Sequence, residues 1–392
     1  MRSLSFAGCA AIAIIVGGIL SPACGQVLIV GNDEKQGWDE NAKPILREPG
    51  KDTLSVLDIS KPDAPQITAT IPLINSVVGP PTNLAVTPAG DIAFVANSME
   101  PIVQGWGHRL EPDNKVFLVD LKANSPNVIG TITVGKQPSG MAISPKGDLA
   151  LVANRADGTI SVLSIRDKDV LVIDTVTVGT SADQVAAVAI TSDGKRALAV
   201  KSAANKVALL AIDGQKVTYD KRDLPAGIFP YNIAVTPDGK LALTADNGGG
   251  GSSDGNVDTV SVIDLEANPP RVIDHVTVGD SPEGLAISPK GDLAVTVEAR
   301  GSNMPKSSFF YHPGGAVTAL KIDGKKLTNV GAVDVGVLPE AVAFSPDGQY
   351  LYVGNFLEGD MSVIKVDGTT LTETGQRIKL PGHPASMRAG PQ

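Results

Sequence analysis

No linear motif supplies chemistry in this sequence, so any site has to be assembled from single residues spread over a repeat. Two carboxylates, Glu283 and Glu340, each follow a proline at the same place in a recurring segment. His383 stands one residue before the corresponding Pro384, and His312 lies in the stretch between the two glutamates. Tyr231 fills the post-proline position one repeat before Glu283, and Thr82, Ser139, Ala186 and Ala385 complete the set. Two carboxylates and two imidazoles on one rim have two chemical uses. Glu283, Glu340 and His383 could ligate a divalent metal ion, or Glu283, Glu340, His312 and His383 could act as general acid and base on a hydrolysable substrate. The structural alternative is that the glutamates cap strands or pair with Arg300, Arg388 or nearby lysines while the histidines are solvated. Beyond that metal, no residue pattern names a cofactor.

The repeat that must position these residues is clearest at Ser345 to Asn355, Ser-Pro-Asp-Gly-Gln-Tyr-Leu-Tyr-Val-Gly-Asn, a tight turn followed by an alternating strand. Proline fixes φ at the first corner and glycine supplies the positive φ of the return, which reads as a β-hairpin. The frame recurs at Ser288 to Glu298, Thr236 to Asp246, Thr191 to Lys201, Ser144 to Asn154 and Thr87 to Asn97, while Gln26 to Asn32 carries the strand without the turn. The turn glycines repeat every 45 to 57 residues, with one short apolar strand ahead of each turn and three strands behind it. Four strands at that period mark propeller blades. The first repeat lacks its innermost strand, and the segment from Gly382 to Arg388 aligns with the start of the others and can supply it. The expected fold is an all-β, seven-bladed β-propeller of four-stranded antiparallel blades, closed by pairing of the N- and C-terminal strands. It would occupy residues 26–392 as one domain.

The run Leu351-Tyr-Val-Gly-Asn355, with Thr159-Ile-Ser-Val-Leu and the Val-Thr-Val-Gly runs later in each repeat, resembles the YVTN-type repeat of lactonase-like and quinoprotein-like seven-bladed propellers. The resemblance implies the fold and leaves the activity open. Such propellers include lactone hydrolases, cofactor-handling periplasmic proteins, DNA binders and surface antigens.

Composition narrows that range. Residues 1–25 read as a signal peptide, with Arg2, an apolar Phe6 to Leu20 and Ala23-Cys24-Gly25 before a cleavage point, so the expected location is periplasmic or secreted. The apolar run is too short for a transmembrane helix, and no other candidate follows. Cys9 and Cys24 both lie in that segment, which leaves the expected mature chain without disulfides or thiolate metal ligands. Lipidation at Cys24 is not expected, since Leu20-Ser-Pro-Ala departs from a lipoprotein box. The net charge of −9 gives no electrostatic footprint for nucleic acid, and the chain is expected to act as a monomer.

Four connections between the second and third strands of a blade are long: Asp33 to Asp52, Ser98 to Asn114, Asn247 to Asp258 and Ala299 to Gly315. Long loops on a closed scaffold carry binding or chemistry, so the functional face is expected on their side of the ring. They contain Trp38, Trp106, His108, Arg109, Phe309, Phe310, Tyr311 and His312. These aromatics either pin loops to the ring or wall a ligand site, while Arg109, Arg155 and Arg300 are available to hold an anionic substrate. The glycine-rich Asn247 to Asp258 reads as a flexible linker. His275, inside an outer strand, reads as structural. No His-Glu-x-x-His motif, phosphate loop or haem-attachment motif occurs. Three readings compete. The first is an exported propeller binding a small molecule or protein partner through the long-loop face. The second is a lactonase-like hydrolase opening a lactone or related ester at the channel mouth, with or without a metal. The third is an accessory of periplasmic quinoprotein or haem metabolism. An enzyme should bring a rim carboxylate within reach of a histidine, whereas a binding module should present an apolar aromatic wall.

Overall fold

The computed structural model describes residues 26–390 apart from positions 40, 106 and 251, so the leader-like segment, its cysteines and Trp106 lie outside the described residues. Seven four-stranded antiparallel sheets form the ring. Their strands run A to D from the centre outward. Blade 1 is built from both chain ends. Val27–Asn32 is its strand B, Thr53–Asp58 its C, Gln66–Pro72 its D, and Pro384–Ala389 its innermost strand A. Leu28 pairs with Ala389 and Val30 with Met387, which closes the ring as the sequence leads one to expect. Blade 3 comprises Pro138–Ile143, Leu149–Asn154, Thr159–Arg166 and Asp169–Thr177, and blade 5 comprises Pro230–Val235, Leu241–Asp246, Thr259–Asp264 and Arg271–Thr277. Blade 6 comprises Pro282–Ile287, Leu293–Glu298, Ala316–Asp323 and Lys326–Asp334, and blade 7 comprises Pro339–Phe344, Tyr350–Asn355, Asp360–Asp367 and Thr370–Lys379.

Each B strand is covered on both faces by neighbouring blades, so its apolar residues run on without a polar side. Leu149–Asn154 and Leu293–Glu298 are buried at every position. Apolar clusters fill the gaps between blades. At the closure, Leu28, Val30 and Met387 meet Tyr352, Met361 and Val363, and the Tyr352 hydroxyl donates to the Pro62 carbonyl at 2.9 Å. The outer D strands alternate towards solvent and expose apolar residues such as Leu171 and Ile173.

One long connection differs from expectation. Ser98 to Asn114 is mostly a β-ribbon: strand B of blade 2 runs Ile92–Gln104 and strand C runs Gly107–Asp120, with Val103 paired to His108. The two halves of the segment continue the ladder past the rim, so few of its residues are free to form a loop. The blade 1 connection folds as a small hairpin, Gln36–Trp38 against Pro44–Leu46. It is anchored by fully buried Lys35, whose ammonium lies 2.8 Å from Asp52 and 3.3 Å from Asp33.

A recurring close approach joins five of the blades to the one before. One register position of every B strand is buried, the last residue in six blades and Asn97 before the ribbon in blade 2: Asn32, Asn97, Asn154, Lys201, Asp246, Glu298 and Asn355. The Asn355 amide donates to Asp360 at 2.7 Å and to Ser362 at 3.0 Å on strand C, and its carbonyl accepts from the Gly336 N–H at 2.9 Å. Gly336 is the second residue after strand D of the preceding blade. Its lack of a side chain is required, because a Cβ there would sit 2.5 Å from the Asn355 amide carbon. The same arrangement in blade 6 puts Gly279 against Glu298, which replaces asparagine and whose carboxyl is raised by burial. Beyond this contact the chain turns through a left-handed residue. Gln137, Gln184, Phe229, Ser281 and Leu338 have φ between 50° and 57°, each one residue before strand A begins. Non-glycine residues adopt that region at a cost, and here they are held between the glycine contact and the A–B ladder.

Asn355→Ala and Gly336→Ala should each lower stability by about 2 kcal/mol or more, the first by orphaning buried groups and the second by overlap. The double variant should cost at least about 1 kcal/mol less than the sum, since both substitutions disturb the same Gly336 N–H to Asn355 hydrogen bond, which can be lost only once. Urea unfolding of the four proteins measures the coupling, and additive costs would separate the two residues energetically.

Candidate functional site at the channel mouth

The left-handed turn and the proline after it deliver the chain to strand A with one residue too many. Pro282 pairs with Glu298 and Gly284 with Val297, which leaves Glu283 as the bulged residue between them. Tyr231 is bulged in blade 5 in the same way, and Glu340 lies within the corresponding irregularity of blade 7. A bulge re-aims the side chain it carries. Glu283 and Glu340 sit on adjacent blades that approach closely, because a Cβ on Gly284 would meet the Glu340 carbonyl oxygen at 2.5 Å. Both glutamates are 6% exposed, as is Tyr231.

Burial dominates the electrostatics here. It pushes Glu283 up to about 7, against the opposing effect of hydrogen bonds from Asn247 at 3.0 Å and Ser281 at 3.4 Å, and of the Arg155 charge. Burial raises Glu340 well above the carboxylate range, and the neighbouring Glu283 charge raises it further. Arg155, from the short B–C turn of blade 3, reaches over the mouth. Its guanidinium carbon is 5.6 Å from the Tyr231 ring centroid, and Nη2 donates to Gln184 at 2.6 Å. Burial also holds the Tyr231 phenol protonated. The mouth thus combines a carboxyl raised well above its ordinary range, a second raised to about 7, and a guanidinium that forms no ion pair among the described residues.

The other expected site residues are not gathered here. His383 stacks on Phe356 with centroids 5.3 Å apart. Its Nε2 lies 2.9 Å from an Arg47 nitrogen that can only donate, so Nδ1 carries the proton and donates to the Phe356 carbonyl at 2.6 Å. Trp38 packs edge-on against the same Phe356 at 5.5 Å, within an apolar cluster that includes Val77, Leu338 and Ala385. It pins its hairpin to the ring. His312, Arg300 and Phe310 meet elsewhere, around a cavity of about 200 Å³ with Asp280, and Arg300 is paired with Asp334 at 2.7 Å. Tyr311 is half-buried in the adjoining turn. His108 and Arg109 project near the tip of the blade 2 ribbon, where Arg109 pairs with Glu111. His275 bonds Ser261 at 3.1 Å on the outer strands. Among the described residues no three His, Asp or Glu side chains group as metal ligands would, and the hydrogen bonds of His383 direct it to Arg47 and Phe356.

Gln184, Asn247 and Ser281 are the residues at this mouth that the repeat pattern does not single out, because their side chains matter only once the left-handed turn places them. The chain also holds one Gly-x-Ser-x-Gly frame, Gly251 to Gly255. Ser253 is buried there and accepts from the Gly301 N–H at 2.7 Å, holding two loops together rather than standing exposed on a strand-to-helix turn.

A family model described as "Lactonase, 7-bladed beta-propeller" matches residues 248–390, a stretch that includes both mouth glutamates. No curated protein sequence matches the chain. Among solved structures, the Pseudomonas aeruginosa protein described as a periplasmic gluconolactonase is 19% identical, with a TM-score of 0.65 over 93% of this chain and 98% of that one. A putative 6-phosphogluconolactonase from Bacteroides fragilis is 16% identical, with a TM-score of 0.65 over 94% and 99%. A functionally unknown protein from Desulfotomaculum acetoxidans is 13% identical, with a TM-score of 0.67 over 93% and 99%. At these identities the likeness is one of fold.

The buried glutamates make stability depend on pH. Their folded values lie above the unfolded one of about 4.5, so their stabilising contribution is complete below that pH and is lost as pH rises through the folded values. Glu340→Gln should therefore melt higher than wild type at pH 8, by an amount that shrinks towards zero at pH 4. Thermal melts at the two pH values check this, and a gap that does not grow with pH would mean that Glu340 carries no desolvation penalty.

Proposed function

We propose that this chain is a lactonase-like hydrolase that opens a lactone or related ester at the channel mouth. The observation that carries the reading is the pair of buried neighbouring carboxyls, Glu283 and Glu340, beside the Arg155 guanidinium. The lactonase match across that stretch and the fold shared with gluconolactonases support it.

The chemistry needs one base, one acid and one cation. Ionised Glu283 takes a proton from water as the water oxygen adds to the ring carbonyl carbon, and Arg155 stabilises the resulting oxyanion. As the tetrahedral intermediate collapses, the carbon to ring-oxygen bond breaks and protonated Glu340 delivers its proton to the leaving oxygen. One water is consumed, and a hydroxy acid is the product, its acidic proton passing to solvent. Transfer of the proton from Glu283 back to Glu340 restores the starting state. Histidine is not needed, because burial and mutual repulsion split the two carboxyls into acid and base. The leader-like segment at 1–25 supports a location outside the cytoplasm, and no helix among the described residues is long and apolar enough to cross a membrane.

A panel of γ- and δ-lactones, including sugar-acid lactones, assayed by proton release should reveal turnover. The pH profile of kcat/KM should be bell-shaped, rising as Glu283 ionises near 7 and falling where Glu340 loses its proton. Glu283→Gln should lower kcat by about 100-fold or more, and Arg155→Met should act on kcat and KM together. Turnover that survives in Glu283→Gln would remove the mouth as its seat.

A further inference from the structure

Below the mouth the A strands enclose a cavity of about 360 Å³ that runs down the ring axis to the turn prolines Pro88, Pro145 and Pro237. One register position along the A strands is alanine in six blades: Ala85, Ala142, Ala189, Ala234, Ala286 and Ala343. All six line the cavity, and their small side chains leave it open. In the seventh blade the position is Arg388, the one charged side chain in the lining of this cavity.

Arg388 donates from Nε to the Leu84 carbonyl at 3.2 Å, its single hydrogen bond among the described residues. No carboxylate pairs with it among them. Guanidinium has five N–H donors and does not give up its charge in a protein, so most of its donors face the cavity unpaired. The side chain is half-buried, and its unpaired charge in the narrow channel favours an ion of opposite sign. The mouth glutamates are three residues further up their strands than Ala286 and Ala343, about 10 Å at strand rise, and neither lines this cavity.

We propose that the central channel is a binding site for a small organic carboxylate, its head bidentate on Arg388 and its short aliphatic body against the alanine ring. Planar carboxylates match the guanidinium fork. The alanine, valine and isoleucine side chains of the lining give a short aliphatic tail apolar contacts that an inorganic anion cannot use. The inference is independent of the hydrolase reading.

Butyrate is the probe, with butyramide and sodium chloride at matched ionic strength as controls. Butyrate should raise the melting temperature of the full chain saturably, by about 2 °C or more once it exceeds its dissociation constant tenfold, and the controls should not. Arg388→Gln should abolish the response, Arg388→Lys should weaken it, and Arg155→Ala should keep it. If Arg388→Gln fails to fold, Ala234→Leu fills the same level of the channel with Arg388 intact and should also lose the response. A shift equal to that of chloride, one surviving in Arg388→Gln or in folded Ala234→Leu, or one lost in Arg155→Ala would overturn the proposal.

Discussion

The arrangement rests on the buried contact between the last residue of strand B and the glycine that arrives from the preceding blade. It joins three strands of one blade to the chain leaving another, in a region without water to substitute for a missing partner. Because that glycine is fixed, the next residues have little freedom. They pass through the left-handed conformation, then a proline or its equivalent, and enter strand A on a bulge. The direction of Glu283 and Glu340 follows from this sequence of constraints rather than from contacts of the glutamates themselves. In blades 5 and 6 carboxylates stand in for the usual asparagine, and hydroxyls from Ser261, Thr259 and Thr296 satisfy them. The position therefore accepts carboxylates in these two blades and lysine, as Lys201, in blade 4.

The same rigidity accounts for the electrostatics of the mouth. A mobile loop would let a carboxylate swing out to water and recover its ordinary acidity. Glu283 and Glu340 are held by a ladder on one side and a packed neighbour on the other, so desolvation raises the pKa of both. The long aromatic connections play a supporting part. Trp38 braces the hairpin above blade 1 through Phe356, and His383 is drawn into the same packing as a neutral ring.

The sequence pattern revealed the blade count, the closure and the post-proline ring, since each follows from turn residues at fixed offsets from alternating strands. It also paired Glu283 with Glu340, because both occupy one register position. It did not distribute the histidines correctly. His312 and His383 are near the glutamates in a blade alignment, but alignment carries no information on azimuth within a loop, and Arg47 and Phe356 claim His383 from elements distant in the chain. The blade 2 ribbon was hidden for a related reason: Pro101 and Pro112 read as loop residues, although strand pairing there continues around both. Arg388 was visible only as a candidate ion-pair partner, and its isolation within an alanine ring emerges when seven strands are superimposed.

Closure of the ring by Pro384–Ala389 against Val27–Asn32 also bears on biosynthesis. The two segments are separated by nearly the whole chain, so the innermost strand of the first blade is the last part of the ring to be made. Until it emerges, strand B of that blade presents an unpaired edge to its surroundings, and a prematurely terminated product retains that edge permanently. Joining the ends costs loop entropy that grows only slowly with separation, whereas the paired backbone and apolar side chains gained are local and large. Closure of the ring is thereby coupled to synthesis of its last strand, and a chain that lacks that strand is marked by its open edge for aggregation or proteolysis.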